Sequence, residues 1–305
     1  MEAPIYFIAG PTATGKTQTA IALARELGGE IVSADSVQVY RYMDIGTAKP
    51  SPEEQQNAPH HLIGVVDPDE LFSVARYQKM ARDAIADIQR RGKTPIVAGG
   101  SGFYLNALLY ETEFGGARAE DLRERLQALA REQGNSRLHD ELCRADPDAA
   151  KAIHPNDVKR VIRALEYHAL TGAKISEHNR LEKTRRPLPN ARLIILTAQR
   201  GSLYARVNSR VENMFAQGLA EEVESLLARG YGENLPSMRS LGYKETVAYI
   251  RGRLPLAEAK EFIKQSTRRY AKRQITWLKH QCGGLWMDID EWNIHDIIKN
   301  VILAQ

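Results

Sequence analysis

Residues 10–17 read Gly-Pro-Thr-Ala-Thr-Gly-Lys-Thr and match the eight-position pattern of a phosphate-binding loop, or P-loop. The loop follows a short apolar run, Ile5 to Ala9, and leads into a stretch from Lys16 to Leu27 that has helical periodicity. A P-loop needs this placement, because its backbone N–H groups surround an anion between a buried strand and the start of a helix. The beginning of the chain therefore predicts a strand–loop–helix unit of an α/β fold.

The residue types in this loop suit the binding of a diphosphate or a triphosphate. Glycines allow successive N–H groups to turn toward one anion, and the helix N-terminus adds partial positive charge. Lys16 supplies a mobile ammonium group, and the hydroxyl of Thr17 can bind Mg²⁺. The residues predicted to hold the phosphates are Gly10, Pro11, Thr12, Ala13, Thr14, Gly15, Lys16 and Thr17. The alternative is a glycine-rich turn that only joins a strand to a helix.

Further apolar segments continue the alternation of strands and helices. We expect strands at Glu30 to Ala34, His61 to Val66, Thr94 to Ala98, Leu193 to Thr197 and Gly284 to Ile289, and helices at Ser73 to Arg91 and Ile294 to Leu303. Short buried strands that alternate with helices form parallel sheets. The predicted fold class is therefore α/β, with a P-loop parallel sheet flanked by helices.

The stretch from residue 111 to residue 189 has a different character. Charged residues crowd Arg118 to Arg131, no β-rich run occurs, and turn signals stand at Gly134-Asn135 and Asp146-Pro147. We interpret this stretch as an inserted all-helical domain. Residues 1–110 and 190–305 would then form the P-loop core together with a C-terminal helical part.

The composition limits the class of protein. With 43% apolar residues the chain can bury a core, and no apolar run reaches the roughly 18 residues of a membrane helix. Two cysteines, Cys143 and Cys282, cannot form a disulfide framework, and no basic leader precedes the first apolar run. We therefore expect a cytoplasmic protein without membrane contact. The net charge of +4 permits nucleic-acid binding without implying it, and nothing demands an oligomer, so we expect a monomer.

Two aspartates follow predicted strands and could serve the phosphate site. Asp35 follows the second strand, and loops at the carboxyl ends of parallel strands face one crevice. Its carboxylate could orient Mg²⁺ or accept a proton from a nucleophile, or it could instead cap the next turn. Asp67 could bind metal, although Pro68 after it makes a turn equally plausible. The predicted strand from Thr94 ends in the small residues Gly99-Gly-Ser-Gly102 and not in an Asp, and small residues there indicate backbone packed closely against a neighbour, which could be a ligand.

Clustered cations mark two candidate surfaces for nucleic acid. The segment from Lys264 to Lys279 has six cations and no acid, and Lys264, Arg268 and Lys272 recur at helical spacing. The alternative is a solvated surface helix, which would normally mix both signs of charge. Tyr270 and Trp277 could stack on bases, but their helical spacing favours a place in the core. A second cluster comprises Lys159, Arg160 and Arg163.

Several strings taken together, in order, resemble one family. They are Gly10 to Thr17, Asp35 to Arg41, Met43 to Pro50, Gly99 to Tyr104, His154 to Asp157, Arg160, Arg163 to Glu166, Arg206 to Met214, Gly218-Leu219, Ser240 to Glu245 and Thr267 to Trp277. The P-loop alone would be unspecific, but these strings run over nearly the whole chain. The sequence is similar to the bacterial tRNA dimethylallyltransferases, also called tRNA isopentenyltransferases.

This resemblance implies a transfer of the dimethylallyl group from dimethylallyl diphosphate to a tRNA. The acceptor would be the exocyclic N6 amine of adenosine 37, beside the anticodon, and diphosphate would be released. The P-loop would hold diphosphate with Mg²⁺ rather than ATP. Asp35 would be the general base, and Arg210 would help to neutralise the diphosphate, so the implied catalytic residues are Asp35, Lys16, Thr17 and Arg210.

The resemblance also implies which positions contact the anticodon stem-loop of the tRNA. In the first part of the chain these are Asp35, Ser36, Val37, Gln38 and Ser101. In the helical insertion they are Arg123, Lys159, Arg160, Val161, Ile162 and Arg163. In the C-terminal part they are Ser240, Leu241, Gly242, Tyr243, Lys244, Glu245, Arg273, Gln274, Ile275, Thr276, Trp277 and Leu278.

Two other function classes remain open from the sequence. A small-molecule kinase could use the same P-loop for ATP, with the helical insertion as a lid, and it would not need RNA. A non-catalytic RNA-binding protein could carry an inactive P-loop, although the intact Gly15-Lys16-Thr17 argues against this class. Transfer of label from dimethylallyl diphosphate to RNA distinguishes the three classes.

Overall fold

The computed structural model describes residues 3–110, 120–182, 184–281 and 283–303, and divides the chain into two compact units. The sheet unit comprises residues 1–109 and 188–305, and the helical unit comprises Tyr110–Pro187. Cys282 and the start of the predicted insertion, including Arg118, lie outside the described residues. Among the described residues, no helix is both long enough and apolar enough to cross a membrane.

The elements follow one another along the chain with strands and helices alternating in the first hundred residues. They are β1 (Ile5–Ala9), α1 (Lys16–Leu27), β2 (Glu30–Ser33), α2 (Pro52–Asn57), β3 (His60–His61), α3 (Val74–Arg90), β4 (Pro95–Gly99), α4 (Gly102–Leu109), α5 (Glu120–Ala145), α6 (Pro147–Ala152), α7 (Val158–Thr171), α8 (Ile175–Glu182), β5 (Ala191–Thr197), α9 (Arg200–Ala216), α10 (Leu219–Ala228), α11 (Tyr243–Ile250), α12 (Leu256–Gln281), β6 (Leu285–Asp288) and α13 (Ile294–Leu303).

All six described strands form one parallel sheet in the order β3-β2-β4-β1-β5-β6. Every side chain of β1 is buried, and this central strand pairs with β4 on one side and β5 on the other. In a parallel sheet all strands end at the same edge, so the loops after β1, β2 and β4 meet there. The predicted α/β class is confirmed, and the P-loop lies at this carboxyl edge.

The predicted elements agree with the structure except at one strand. The first strand, the first helix and the last helix have the predicted bounds, and most other ends differ by one or two residues. The predicted strand His61 to Val66 is wrong, because β3 consists of His60–His61 only. Leu62 and Gly64 have φ of 63° and 58°, left-handed conformations that end the extended backbone. Val66 then forms only an isolated bridge with Tyr40.

The helical unit has a core of its own. Leu138 and Leu142 of α5 are buried with Val161 and Ala164 of α7. At Gly134 the backbone leaves the helical conformation, with φ 87° and ψ 159°, so the predicted turn is a kink inside α5. The helices of this unit are thus held together by apolar packing around α5 and α7.

The edge of the sheet opposite the P-loop carries a buried carboxylate with three basic side chains as partners. Glu30 begins β2 and is only 3% exposed. It accepts a bidentate ion pair from Arg91, a hydrogen bond of 2.8 Å from Lys93 Nζ, and pairs with His61 Nε2 at 2.7 Å. The Arg91 guanidinium, followed by Lys93 and His61, holds the pKa of Glu30 well below its usual range despite burial. This cluster joins the starts of β2, β3 and β4.

Replacing Glu30 by Gln should test this cluster through the pH dependence of stability. At pH 7 we expect the free energy of unfolding to fall by about 3 kcal/mol, because a buried ion pair loses one partner. The folded-state pKa is lowered, so the stabilisation is complete above the unfolded pKa of about 4.3 and disappears as the pH falls toward the folded value. Urea unfolding at neutral and acidic pH measures the difference.

Asp87 supplies the matched control for the Glu30 variant. It also pairs with Arg91, but its side chain is 43% exposed, so Asp87→Asn should change stability by less than about 1 kcal/mol. An effect of Glu30→Gln that stayed constant from neutral to acidic pH would contradict the assigned role.

Candidate active site at the carboxyl edge of the sheet

The P-loop presents an uncapped helix N-terminus to the edge of the sheet. Gly15 precedes α1 with φ 75°, and no side chain caps the helix. The first amides of α1 therefore lack helical acceptors and are available to an anion. Gly10 must be glycine, because a Cβ there would lie 2.5 Å from the carbonyl oxygen of Leu196 in β5. Ala13 holds a left-handed φ of 67°, a strained conformation of the kind found at functional loops.

Lys16 is held against its own loop inside the pocket. Its Nζ donates a hydrogen bond of 2.7 Å to the carbonyl of Pro11. Burial, followed by the nearby charge of Arg210, lowers the pKa of Lys16 from 10.5 to about 7, while Asp35 acts in the opposite direction. Two cations thus share one neighbouring carboxylate. An anion in the loop would stabilise the protonated form of Lys16.

Asp35 combines the two roles that the sequence left open. Its Oδ1 accepts hydrogen bonds from the amides of Val37 at 2.9 Å and Gln38 at 3.3 Å, so it caps the turn after β2. No donor among the described residues bonds to its other oxygen, Oδ2. Asp35 lines the same cavity as Lys16 and Arg210. One carboxylate oxygen holds the loop, and the other is available to accept a proton.

Arg210 reaches this cavity from α9, far along the chain. Its Nη2 lies 3.5 Å from the carbonyl oxygen of Thr47, at the limit of a hydrogen bond. Burial lowers the pKa of Arg210, and the carboxylate of Asp35 opposes that shift. The structure thus brings together Lys16, Thr17, Asp35 and Arg210, the four residues predicted to be catalytic.

The cavity has a volume of about 790 Å³, enough for a small phosphorylated molecule. Its floor is the P-loop, and its walls include Asp35, Gln38, the segment from Asp44 to Gln55, and the glycines after β4. Asp67 does not line it, and its carboxylate instead accepts a hydrogen bond of 3.2 Å from Arg41. The turn-forming interpretation of Asp67 therefore fits the structure, and a metal role does not.

Sequence reasoning missed the residue that positions one wall of the cavity. Glu222 of α10 accepts hydrogen bonds from three consecutive amides, those of Asp44, Ile45 and Gly46, at 2.8, 2.7 and 3.2 Å. The hydroxyl of Tyr243 donates to the same carboxylate at 2.6 Å. No local sequence pattern predicts this role, because Glu222 lies more than 170 residues along the chain from the amides that it binds.

Helix α12 forms another wall through Tyr270 and Gln274. Tyr270 is half-buried, and burial, followed by the charge of Asp35, raises its pKa to about 12. Ser101 and Gln274 lie close enough to its side chain to oppose this rise in pKa. The sequence favoured a place in the core for Tyr270, and the structure places it, partly buried, in the wall of the cavity. Trp277 instead packs on Gly102, where a Cβ would lie 2.6 Å from the indole.

The residues at positions implied to contact tRNA fall into three groups. Buried ones are Ser101, Val161, Ile162, Gly242, Tyr243, Glu245, Gln274 and Leu278, and exposed ones are Ser36, Lys159, Arg160, Lys244, Arg273 and Thr276. The intermediate ones are Asp35, Val37, Gln38, Arg123, Arg163, Ser240, Leu241, Ile275 and Trp277. The buried side chains support the local structure, so only the exposed and intermediate ones offer a direct surface.

Arg123 is occupied by an ion pair within the helical unit. Its Nε and Nη2 donate to both oxygens of Glu166, at 2.7 and 2.6 Å. Glu166 is fully buried, so this pair is part of the core of the helical unit. The structure thus shows a partner for Arg123 inside the helical unit, and its implied contact with tRNA stays a prediction.

The basic face predicted for the segment from Lys264 onward is only partly available. Lys264 pairs with Glu212 at 2.8 Å and with Glu261 at 2.6 Å, and Arg268 donates to Asn208 at 2.6 Å. These two cations attach α12 to α9 instead of facing solvent. The exposed cations of the segment are Arg269, Lys272, Arg273 and Lys279.

No cluster of three or more metal-binding His, Cys, Asp or Glu side chains occurs among the described residues. The hydroxyl of Thr17 and the carboxylate of Asp35 are nevertheless oxygen ligands that line the phosphate cavity. Mg²⁺ usually takes only one or two protein ligands and completes its shell with phosphate oxygens and water. The donor set therefore fits Mg²⁺ bound together with a diphosphate.

Comparisons with known proteins agree with this geometry. A family model described as IPP transferase matches residues 38–281. The tRNA dimethylallyltransferase of Acetivibrio thermocellus is 48% identical over 97% of this chain and 96% of its own length. That of Geobacillus thermodenitrificans is 48% identical over 95% of this chain and 92% of its own length.

Solved structures show the same similarity in three dimensions. The full-length tRNA isopentenylpyrophosphate transferase of Bacillus halodurans matches with a TM-score of 0.73 and 42% identity, over 99% of this chain and 96% of that one. A eukaryotic dimethylallyltransferase acting on tRNA matches with a TM-score of 0.83 and 29% identity, over 99% of this chain and 79% of that one. The chain therefore belongs to the IPP transferase family, together with the tRNA dimethylallyltransferases.

Proposed function

We propose that the protein transfers the dimethylallyl group from dimethylallyl diphosphate to the N6 amine of adenosine 37 of tRNA and releases diphosphate. The observation that carries this proposal is the free Oδ2 of Asp35 in the same cavity as the P-loop, Lys16 and Arg210. The cavity thus combines a site for a leaving anion with a base for an incoming amine. Membership of the IPP transferase family supports the same reaction.

Departure of the diphosphate requires positive charge at the P-loop. As the allylic carbon–oxygen bond breaks, negative charge grows on the leaving oxygens, so fixed cations and dipoles stabilise the transition state more than the ground state. The open amides of α1, Lys16 and Arg210 are placed for this purpose. When bound, Mg²⁺ would supply further charge to the same oxygens, held by Thr17.

Attack by the adenine amine requires removal of a proton. The nitrogen lone pair is delocalised into the ring, so a carboxylate that accepts the proton as the new bond forms should accelerate the reaction by about 100- to 10,000-fold. Oδ2 of Asp35 is the acceptor, while Oδ1 keeps its bonds to the turn and fixes the direction of the carboxylate. The acceptor base must leave its stack to enter the cavity.

The tRNA would be held by exposed cations on each of the two units. In the sheet unit these include Arg269, Lys272 and Arg273, and in the helical unit Lys159 and Arg160. Such contacts with the phosphate backbone offset the cost of extruding the base. We further propose that the protein acts as a monomer and meets its tRNA substrate in the cytoplasm.

The reaction should be visible with labelled dimethylallyl diphosphate. We expect label in RNA when protein, Mg²⁺ and tRNA are combined, and none when the target adenosine is replaced by guanosine, which lacks the N6 amine. ATP labelled on its terminal phosphate serves as the competing donor. Phosphate transfer from ATP without labelling of RNA by the prenyl donor would favour a kinase and refute the proposal.

Replacing Asp35 by Asn separates its two roles. Asn keeps an oxygen for the amides of Val37 and Gln38 but cannot accept a proton, so kcat should fall by about 100- to 10,000-fold with the fold intact. Single-turnover labelling of tRNA measures this effect, and calorimetry with diphosphate and Mg²⁺ should show binding that is retained. The exposed Asp67, changed to Asn, is the control and should react normally. A near-normal rate for Asp35→Asn would remove the base role.

The exposed cations of α12 should set the salt dependence of tRNA binding. The double variant Arg269→Ala with Lys272→Ala should weaken binding and reduce the slope of log K against log salt by about one unit per lost phosphate contact. Arg25→Ala with Lys299→Ala is a control with the same charge change, since both side chains are exposed on other helices. An unchanged slope in the α12 variant would place tRNA elsewhere.

A further inference from the structure

The carboxamide of Gln274 joins helix α12 to two loops of the cavity. Its Oε1 accepts a hydrogen bond of 2.9 Å from the amide of Thr12 in the P-loop, and its Nε2 donates one of 2.9 Å to the carbonyl of Gly100 after β4. Gln274 is only 7% exposed. Both the donor and the acceptor of this side chain are therefore committed to backbone groups of the site.

The backbone around this contact leaves room for no other arrangement. A Cβ on Gly100 would lie 2.3 Å from Nε2 of Gln274 and 3.1 Å from the carbonyl oxygen of Gly10. The absence of a side chain at Gly100 thus lets the carboxamide enter between the two loops. The bond also takes the Thr12 amide out of reach of a ligand, which leaves the later amides of the loop for an anion.

A second connection runs from the same part of α12 to the loop of the base. The side chain of Tyr270 lies close enough to Ser101 and Gln274 for both to oppose the rise of its pKa that burial causes. Ser101 Oγ in turn accepts a hydrogen bond of 3.0 Å from the amide of Ser36, the residue after Asp35. One turn of α12 is therefore hydrogen-bonded to the phosphate cradle through Gln274, and Tyr270 of the same turn lies beside Ser101, which is bonded to the turn that carries Asp35.

The opposite face of this helical turn is exposed and cationic. Arg269, Lys272 and Arg273 are exposed, whereas Ala271 and Gln274 are buried. Because these residues belong to one hydrogen-bonded turn of a helix, a shift of the exposed cations on RNA binding would also shift the carboxamide of Gln274. The cations proposed to bind RNA and the glutamine that contacts the P-loop therefore lie on the same short stretch of α12.

We propose that Gln274 is a positioning residue that fixes the P-loop for diphosphate and couples donor binding to tRNA binding on α12. The proposal rests on the function proposed above. Its own content is that diphosphate affinity depends on a side chain that touches no phosphate, and that RNA changes this affinity through it. Coupling of two ligands is reciprocal, so diphosphate must change RNA affinity by the same factor.

Calorimetry with inorganic diphosphate and Mg²⁺, without RNA, tests the positioning role. We expect Gln274→Ala to weaken binding by about tenfold, as for the loss of hydrogen bonds that hold a site. Gln274→Glu retains an acceptor for the Thr12 amide but places a carboxylate oxygen against the carbonyl oxygen of Gly100. It should therefore weaken diphosphate binding to a similar extent. Gln265 is exposed on the same helix, so Gln265→Ala and Gln265→Glu are matched controls that should bind normally.

A double-mutant cycle shows whether the carboxamide acts through Gly100. Gly100→Ala forces the side chain of Gln274 aside and should by itself weaken diphosphate binding. If both residues act through one contact, Gly100→Ala combined with Gln274→Ala should be no weaker than the worse single variant. Additive losses would refute this route. Circular dichroism melts confirm that each variant is folded at the temperature of measurement.

The coupling is measured by repeating the titrations with an anticodon stem-loop RNA. In the wild-type protein, bound RNA should change the affinity for diphosphate by about fivefold or more. In Gln274→Ala this factor should fall toward one. Diphosphate binding that is normal in both Gln274 variants, or a coupling factor that they leave unchanged, would overturn the inference alone. If the wild-type protein bound no diphosphate, the proposed function would fail with it.

The steady-state parameters provide a further distinction from a purely structural role. Gln274→Glu should raise KM for dimethylallyl diphosphate by about tenfold and change kcat much less, because Gln274 lies at the cradle and not at the reacting carbon. A lowered melting temperature with unchanged KM would show that the residue only stabilises the fold.

Discussion

Electrostatic imbalance at the carboxyl edge of the sheet is the feature on which the site depends. Lys16 and Arg210 share the cavity with the open amides of α1, and Asp35 is the carboxylate nearest to both. Burial makes this excess of positive charge costly, which is why the pKa of Lys16 is lowered to about 7. A bound diphosphate would remove that cost. Binding of a diphosphate would therefore stabilise the charged forms of both side chains.

Close backbone contacts explain why small residues follow the strands. A Cβ on Gly99 would lie 2.1 Å from the carbonyl oxygen of Ala34, so β4 and the end of β2 can approach only through glycine. A Cβ on Gly10 would likewise clash with β5, and a Cβ on Gly100 would clash with Gln274. The sequence predicted close packing after β4, with a ligand as one possible neighbour. The neighbours are protein atoms, and they bring the P-loop and the Asp35 loop to one cavity.

Local patterns predicted the parts of the site that depend on neighbouring residues. The P-loop follows from its spacing, and the place of Asp35 follows from the rule that parallel strands end at one edge. Pairings between distant residues could not be predicted, since nothing near Glu222 or Glu166 in the sequence indicates which amides or guanidinium they bind. The strand predicted after His61 does not form for a local reason, because Leu62 adopts a left-handed conformation. The apolar residues of this segment gave no indication of it.

The string around Gln274 shows how one helix can serve two surfaces at once. Buried residues recur at Thr267, Ala271, Gln274 and Leu278, with the spacing of three and four that marks one face of a helix. The cations lie between them on the other face. The family resemblance implies that the whole string contacts tRNA. Helical periodicity instead separates it into a buried face and an exposed, cationic face. Gln274 of this string is bonded to the P-loop, while the cations of the proposed RNA surface stand on the same helical turn, which is the physical basis of the proposed coupling between the two substrates.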